Sequence, residues 1–149
     1  MLSSLINSFY PERFQGRLNK QHYFEGWYFK FVSVKGEKCA FIPGVSLTKN
    51  DAHCFIQYIN GDTGKTVYVR YDLNEFEYKK SMFWVKIGNS VFTSDFVEID
   101  IETNDFKAKG RVEHSNVQKL PRSLLSPGIM GWYSFMPFMQ CYHGLVSMD

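Results

Sequence analysis

The chain has 149 residues, a length that fits one domain and allows roughly 68–70% of the unfolded surface to be buried without metal or disulfide support. Its net charge is +2 with basic and acidic residues interleaved, so no field selects phosphate backbones or anionic lipids, and nucleic acid is excluded as a partner. The first eight residues carry no basic start and no long apolar run, no stretch approaches the roughly 18 apolar residues of an integral membrane span, and Cys39, Cys54 and Cys141 are odd in number and widely spaced, so a cytoplasmic chain with free thiols is expected.

An aromatic content of 17%, with 14 Phe and 9 Tyr, favours strands over helices. Residues 1–22 read as an irregular lead-in punctuated by Pro11 and Gly16. From Tyr23 to Val34 the chain is dense in aromatic and β-branched residues, which predicts a strand, and Lys35-Gly36-Glu37 turns it into a partner over Cys39–Leu47. His53–Ile59 and Thr66–Tyr71 flank Asn60-Gly61-Asp62-Thr63-Gly64, a loop suited to the positive φ angles of a hairpin. Met82–Ile87 and Val91–Thr93 flank a second reversal at Gly88-Asn89. Val97, Ile99 and Ile101 then alternate with Glu98, Asp100 and Glu102, and the next strand sends Phe106, Ala108, Gly110 and Val112 inward and Lys107, Lys109, Arg111 and Glu113 outward. Acidic and basic outer faces on these neighbours are expected to pair across the ladder. A proline-bearing loop over 120–128 precedes an apolar run, Ile129–Met139, and a last strand over Gln140–Met148. Strand after strand with short local turns predicts an all-β antiparallel meander that curls into a barrel or half-barrel, in preference to a sandwich.

Gly61-Asp62-Thr63-Gly64-Lys65-Thr66 ends like a phosphate-binding loop, but Ile59 stands where that motif needs its first glycine and a strand follows instead of a helix. His22, His53, His114 and His143 have no metal-ligand spacing, and no nucleophile-elbow pattern is present. In an extended strand Tyr23, Glu25, Trp27, Phe29 and Phe31 share one face, which places a single carboxylate among aromatic rings. Such a carboxylate either meets a cation or is kept protonated by desolvation, and the second case makes a proton donor. Residues 131–148 are as aromatic, and Trp132, Tyr133, Gln140, Tyr142 and His143 carry polar tips that suit a pocket as well as a core.

Phe24-Glu25-Gly26-Trp27-Tyr28-Phe29-Lys30 near the start and Gly131-Trp132-Tyr133-Ser134-Phe135-Met136-Pro137-Phe138-Met139-Gln140-Cys141-Tyr142-His143-Gly144-Leu145-Val146-Ser147 near the end together resemble the tocopherol cyclase family, as does Met82–Asn89 between them. The resemblance implies a lipocalin-like β architecture of two barrel-like halves, of which residues 23–149 would be the first. It also implies a cofactor-independent, isomerase-type closure of a prenylated quinol, an isoprenoid quinol, to a chromanol. Ring closure needs an acid to protonate an alkene, aromatic faces to stabilise the tertiary cation, and exclusion of water. Glu25 is the expected donor, with His143 or Tyr142 as alternatives; Trp27, Tyr28, Phe29, Trp132, Tyr133 and Gln140 are the expected substrate contacts. The competing expectation is a non-catalytic, lipocalin-like binder of a hydrophobic small molecule. A third is a half-domain that functions only with its second half or as a homo-oligomer.

Overall fold

Segments rich in aromatic and β-branched residues form the strands of the computed structural model, which describes Tyr10 and residues 12–118. Ten strands result: β1 (Tyr23–Gly26), β2 (Phe29–Val32), β3 (Lys38–Leu47), β4 (His53–Asn60), β5 (Thr66–Asp72), β6 (Phe76–Tyr78), β7 (Trp84–Ile87), β8 (Ser90–Thr93), β9 (Phe96–Glu102) and β10 (Lys107–Glu113). They build two five-stranded antiparallel sheets. In the first, β1 and β2 both pair with β3, which continues through β4 to β5; the second is a meander in the order β10-β9-β8-β7-β6.

The strand expected over 23–34 is two strands. Trp27 N–H donates to Pro43 O at 2.9 Å, but proline has no N–H to return, so the ladder opposite β3 lapses at Trp27 and Tyr28 before Phe29 resumes it against Phe41. The β4–β5 hairpin forms where its sequence predicts: Asn60 Oδ1 accepts from the Asp62 and Thr63 amides at 3.0 and 2.9 Å, and Gly64 takes φ +73°. Gly88, at φ +56°, serves the β7–β8 reversal in the same way. Two elements were not foreseen. A 3-10 turn over Leu73–Glu75, with Glu75 Oε1 accepting from the Asp72 amide, carries the chain between the sheets into the short strand β6.

The core lies between the sheets. Val45, Leu47, Cys54 and Ile56 from one side meet Val85, Ile87, Phe92, Val97 and Ile101 from the other, all at 2% exposure or less. Each large apolar side chain so buried contributes about 1.5–3 kcal/mol. The alternation expected on β9 is present, with Val97, Ile99 and Ile101 buried and Glu98 and Glu102 exposed. Its acidic face pairs across the ladder with β10 as expected: Lys107 with Glu102, Lys109 with Asp100 at 3.0 Å, and Arg111 with Glu98 at 3.0 Å.

The fold is thus all-β and antiparallel, while among the described residues the two sheets do not close into a single barrel. Among the same residues no helix is long and apolar enough to cross a membrane. The strand expected over 140–148 lies outside the described residues.

Candidate functional site: two ends of the space between the sheets

One end of the inter-sheet space is filled by the lead-in. Phe14 is 2% exposed and touches rings from both sheets: Tyr23 and Trp27 at 6.3 Å, Phe76 at 5.2 Å and Tyr78 at 4.5 Å between centroids. The segment carrying Phe14 adds no strand to either sheet, so its polar backbone groups are bound by side chains. Trp27 Nε1 donates to Glu12 O at 2.8 Å. The Glu25 carboxylate accepts from the Gln15 amide at 3.0 Å, the Gly16 amide at 3.2 Å and Tyr23 Oη at 2.5 Å. From the opposite sheet's side, Lys80 Nζ donates to Gly16 O at 2.7 Å and Phe14 O at 3.2 Å.

Burial pushes the Glu25 carboxyl above its ordinary value, opposed by its bonds to Tyr23, Gln15 and Gly16 and, through space, by Lys80. Burial likewise lowers Lys80, whose neighbours Arg17 and Lys20 add to the effect while Glu25 opposes it. Desolvation therefore outweighs mutual attraction at both groups, as expected for charges whose work is to bind backbone dipoles.

Among the described residues the other end is open. Between β2–β4 and β9–β10 lies a cleft of about 490 Å³ whose floor and walls are chiefly apolar, including Phe31, Phe41, Tyr58, Ile99, Phe106 and Ala108. Phe41 packs on Tyr58 at 5.2 Å and Tyr58 on Phe106 at 4.9 Å, so an aromatic wall crosses from one sheet to the other. Cys39 also lines it, its thiol pushed up by burial and by the charge of Asp62. Lys107 and Lys109 stand at the rim and are occupied by Glu102 and Asp100, which leaves little to attract an anion. A second hollow, of about 320 Å³, is polar, lying among Tyr71, Glu75, Asn89, Asp100 and Lys109.

The expected site residues divide between these regions. Glu25 shares the inward face with Trp27 and Phe29, as its spacing predicts, but its oxygens are turned to the lead-in. Glu25 sits opposite Val45, whereas Phe41 and Cys39 lie four and six residues further along β3, about 13 and 20 Å away at the rise of a strand. Trp27 and Phe29 are half-buried between the ends, packed on Phe83 at 5.8 and 6.1 Å. Tyr28 is a correction: it is 62% exposed on the outer face, beside Phe24 and Lys30, because strand alternation carries it away from Trp27 and Phe29. Trp132, Tyr133, Gln140, Tyr142 and His143 lie outside the described residues.

The cleft residues Phe31, Phe41, Tyr58 and Phe106 were not singled out by the sequence reading. Phe31 and Phe106 did carry a signal, since each was placed inward by alternation. No group of His, Cys, Asp and Glu among the described residues could hold a metal ion. No protein-family model, curated protein or solved structure matches this chain.

Proposed function

We propose that this protein holds an uncharged, elongated apolar molecule in the cleft between its sheets, of the prenylated-quinol class suggested by the resemblance of its two aromatic segments to tocopherol cyclases. The observation that carries this reading is the open apolar cleft itself, with its aromatic wall of Phe41, Tyr58 and Phe106 and its ion-paired rim. At roughly 30 Å³ per water-sized group, about 490 Å³ accepts on the order of 16 non-hydrogen atoms, the size of a prenyl chain or a headgroup with part of one. Apolar walls supply affinity by burial, and the Tyr58 hydroxyl can offer a hydrogen bond to a phenolic ligand. In this reading the sheets are a lipocalin-like half-barrel whose guest lies where the two sheets part.

Acid-catalysed ring closure is the second reading, favoured by the burial that raises the Glu25 carboxyl among Tyr23, Trp27 and Phe14. Glu25 is committed to two backbone amides and a phenol, and it stands several residues along the strand from the cleft. The alternative donors that the sequence offers, Tyr142 and His143, lie outside the described residues.

Titration of the full chain with a prenylated hydroquinone, followed by quenching of its intrinsic fluorescence, tests binding. Saturable quenching that is lost in Ala108→Trp, which obstructs the cleft, is expected; no saturation, or saturation indifferent to Ala108→Trp, overturns it. Mass spectrometry of the same mixture for chromanol tests the chemistry. Product unchanged in Tyr142→Phe and His143→Ala would overturn their assignment as donors.

A further inference from the structure

The outer face of the first sheet carries a second arrangement, independent of the cleft. Tyr68 on β5 and His53 on β4 point to the same side, and Tyr68 Oη lies 2.8 Å from His53 Nε2. His53 is only 7% exposed, so its orientation is set by packing between Phe55, at 6.3 Å, and Tyr68, at 6.2 Å. Its Nδ1 is buried without a hydrogen-bond partner, 3.5 Å from Asp51 Oδ1. That separation is at the limit for a hydrogen bond, and it sets the Asp51 carboxylate against Nδ1, the ring nitrogen on the far side from Tyr68. Asp51 is in turn ion-paired with Arg70, which holds its carboxyl below the ordinary range. Asp72 stands opposite His53 in the β4–β5 ladder.

Phenol, imidazole and carboxylate thus stand in the order of nucleophile, base and positioning group. Tyr68 is 50% exposed, so its oxygen can be reached from solvent. Beside it lies an apolar shelf: Phe55 stacks on Tyr68 at 4.9 Å and Phe24 on Phe55 at 5.8 Å, with Gly44 leaving the room that Phe55 occupies. Burial pushes the Tyr68 hydroxyl upward, so at rest the phenol is intact and needs its base during reaction.

We propose that Tyr68 is an acyl-accepting nucleophile activated by His53, with Asp51 positioning the imidazole and the Phe55–Phe24 stack receiving the aryl group of an activated aryl ester. Tyr68 Oη attacks the ester carbonyl carbon as its proton passes to His53 Nε2. The bond from carbonyl carbon to aryl oxygen breaks, the aryloxide leaves with the electron pair, and the imidazolium returns its proton to solvent. The product is O-acyl Tyr68.

Tyr28 supplies an internal standard: it is 62% exposed on the same sheet face and makes no hydrogen bond to an imidazole among the described residues. The full chain is treated with p-nitrophenyl acetate, and acetylation of the Tyr68 and Tyr28 peptides is followed by mass spectrometry. Tyr68 is expected to acylate at least about tenfold faster than Tyr28, with a rate that rises with pH across neutrality, as general-base assistance requires. In His53→Gln the two rates converge, and in Asp51→Asn the pH profile moves. Equal rates in the unmodified protein, or a Tyr68 excess that survives His53→Gln in a folded variant, overturn the proposal. Should His53→Gln fail to fold, the rate ratio and its pH dependence in the unmodified chain decide alone: a ratio near one or a flat profile counts against it.

Discussion

The two ends of the inter-sheet space are built from the same strands and filled in opposite ways. At the Glu25 end the chain inserts its own Phe14 among rings of both sheets and ties the inserted backbone with Trp27, Glu25 and Lys80. At the Phe31 end the rings of Phe41, Tyr58 and Phe106 line a cleft that no described residue fills. The difference teaches that an aromatic inward face is not in itself a pocket. What decides is whether the chain supplies its own filler and can satisfy the backbone that comes with it.

Removing the filler breaks this comparison most sharply. Phe14→Ala empties a site enclosed by four rings and is expected to cost about 3–5 kcal/mol, read as a lower urea midpoint at unchanged slope. Phe106→Ala, at the half-buried wall of the cleft, should cost nearer 1–1.5 kcal/mol, since only part of its surface leaves water on folding. Equal losses at the two positions would mean that the cleft is packed as tightly as the plugged end. Gly110→Leu approaches the same contrast from the ligand's side. A side chain at Gly110 meets nothing within 4 Å and would extend toward the cleft, so stability should change by no more than about 0.5 kcal/mol. Affinity for a prenylated hydroquinone should meanwhile fall at least about tenfold, or 1.4 kcal/mol, in the fluorescence titration.

How much of this could be read from residues alone follows the same division. Strand β9 and its pairing with β10 were legible because a period of two and matched outer charges are local properties. Glu25 was correctly placed among rings, yet its partners Gln15 and Gly16 come from a lead-in whose path is fixed by where Phe14 packs, and no pattern in 1–22 encodes that. Tyr28 was legible and misread, since the alternation that puts Trp27 and Phe29 inward puts Tyr28 outward with Phe24 and Lys30. The cleft was not legible, because it depends on how far β10 stands from β2 and β3, a distance set by the packing of the whole core. The relay of Asp51, His53 and Tyr68 escaped notice because His53 and Tyr68 lie on different strands and become neighbours only through the register that sets Gln57 opposite Tyr68, with Asp51 in the loop just before β4.

The Glu25 end also makes a prediction in pH. A carboxyl raised above 4.5 in the folded chain binds protons more readily there than when unfolded, so its ionisation weakens the fold. That weakening is complete above the raised value and is relieved as pH falls through it toward 4.5. Urea midpoints across this window should show the stability difference between the unmodified chain and Glu25→Gln moving in favour of the unmodified chain as pH drops. The opposite slope would mean that the bonds from Gln15, Gly16 and Tyr23 outweigh desolvation, and the plugged end would then be held mainly by ionic hydrogen bonds.

Farthest from both ends, the ion pairs of the β9–β10 outer face should matter least. Arg111 and Glu98 face solvent at 46% and 48% side-chain exposure, so their attraction is offset by hydration and by the entropy of ordering two long side chains. Glu98→Ala is expected to lower the urea midpoint by an amount equivalent to about 0.2–1 kcal/mol, and the loss should shrink when ionic strength is raised to 1 M, where screening acts over about 3 Å. A larger loss, or one indifferent to salt, would require the β10 strand to be held by its charges more than by Phe106 and Ala108. The cleft wall would then be an electrostatic construction, with its opening sensitive to salt in a way that apolar packing would not allow.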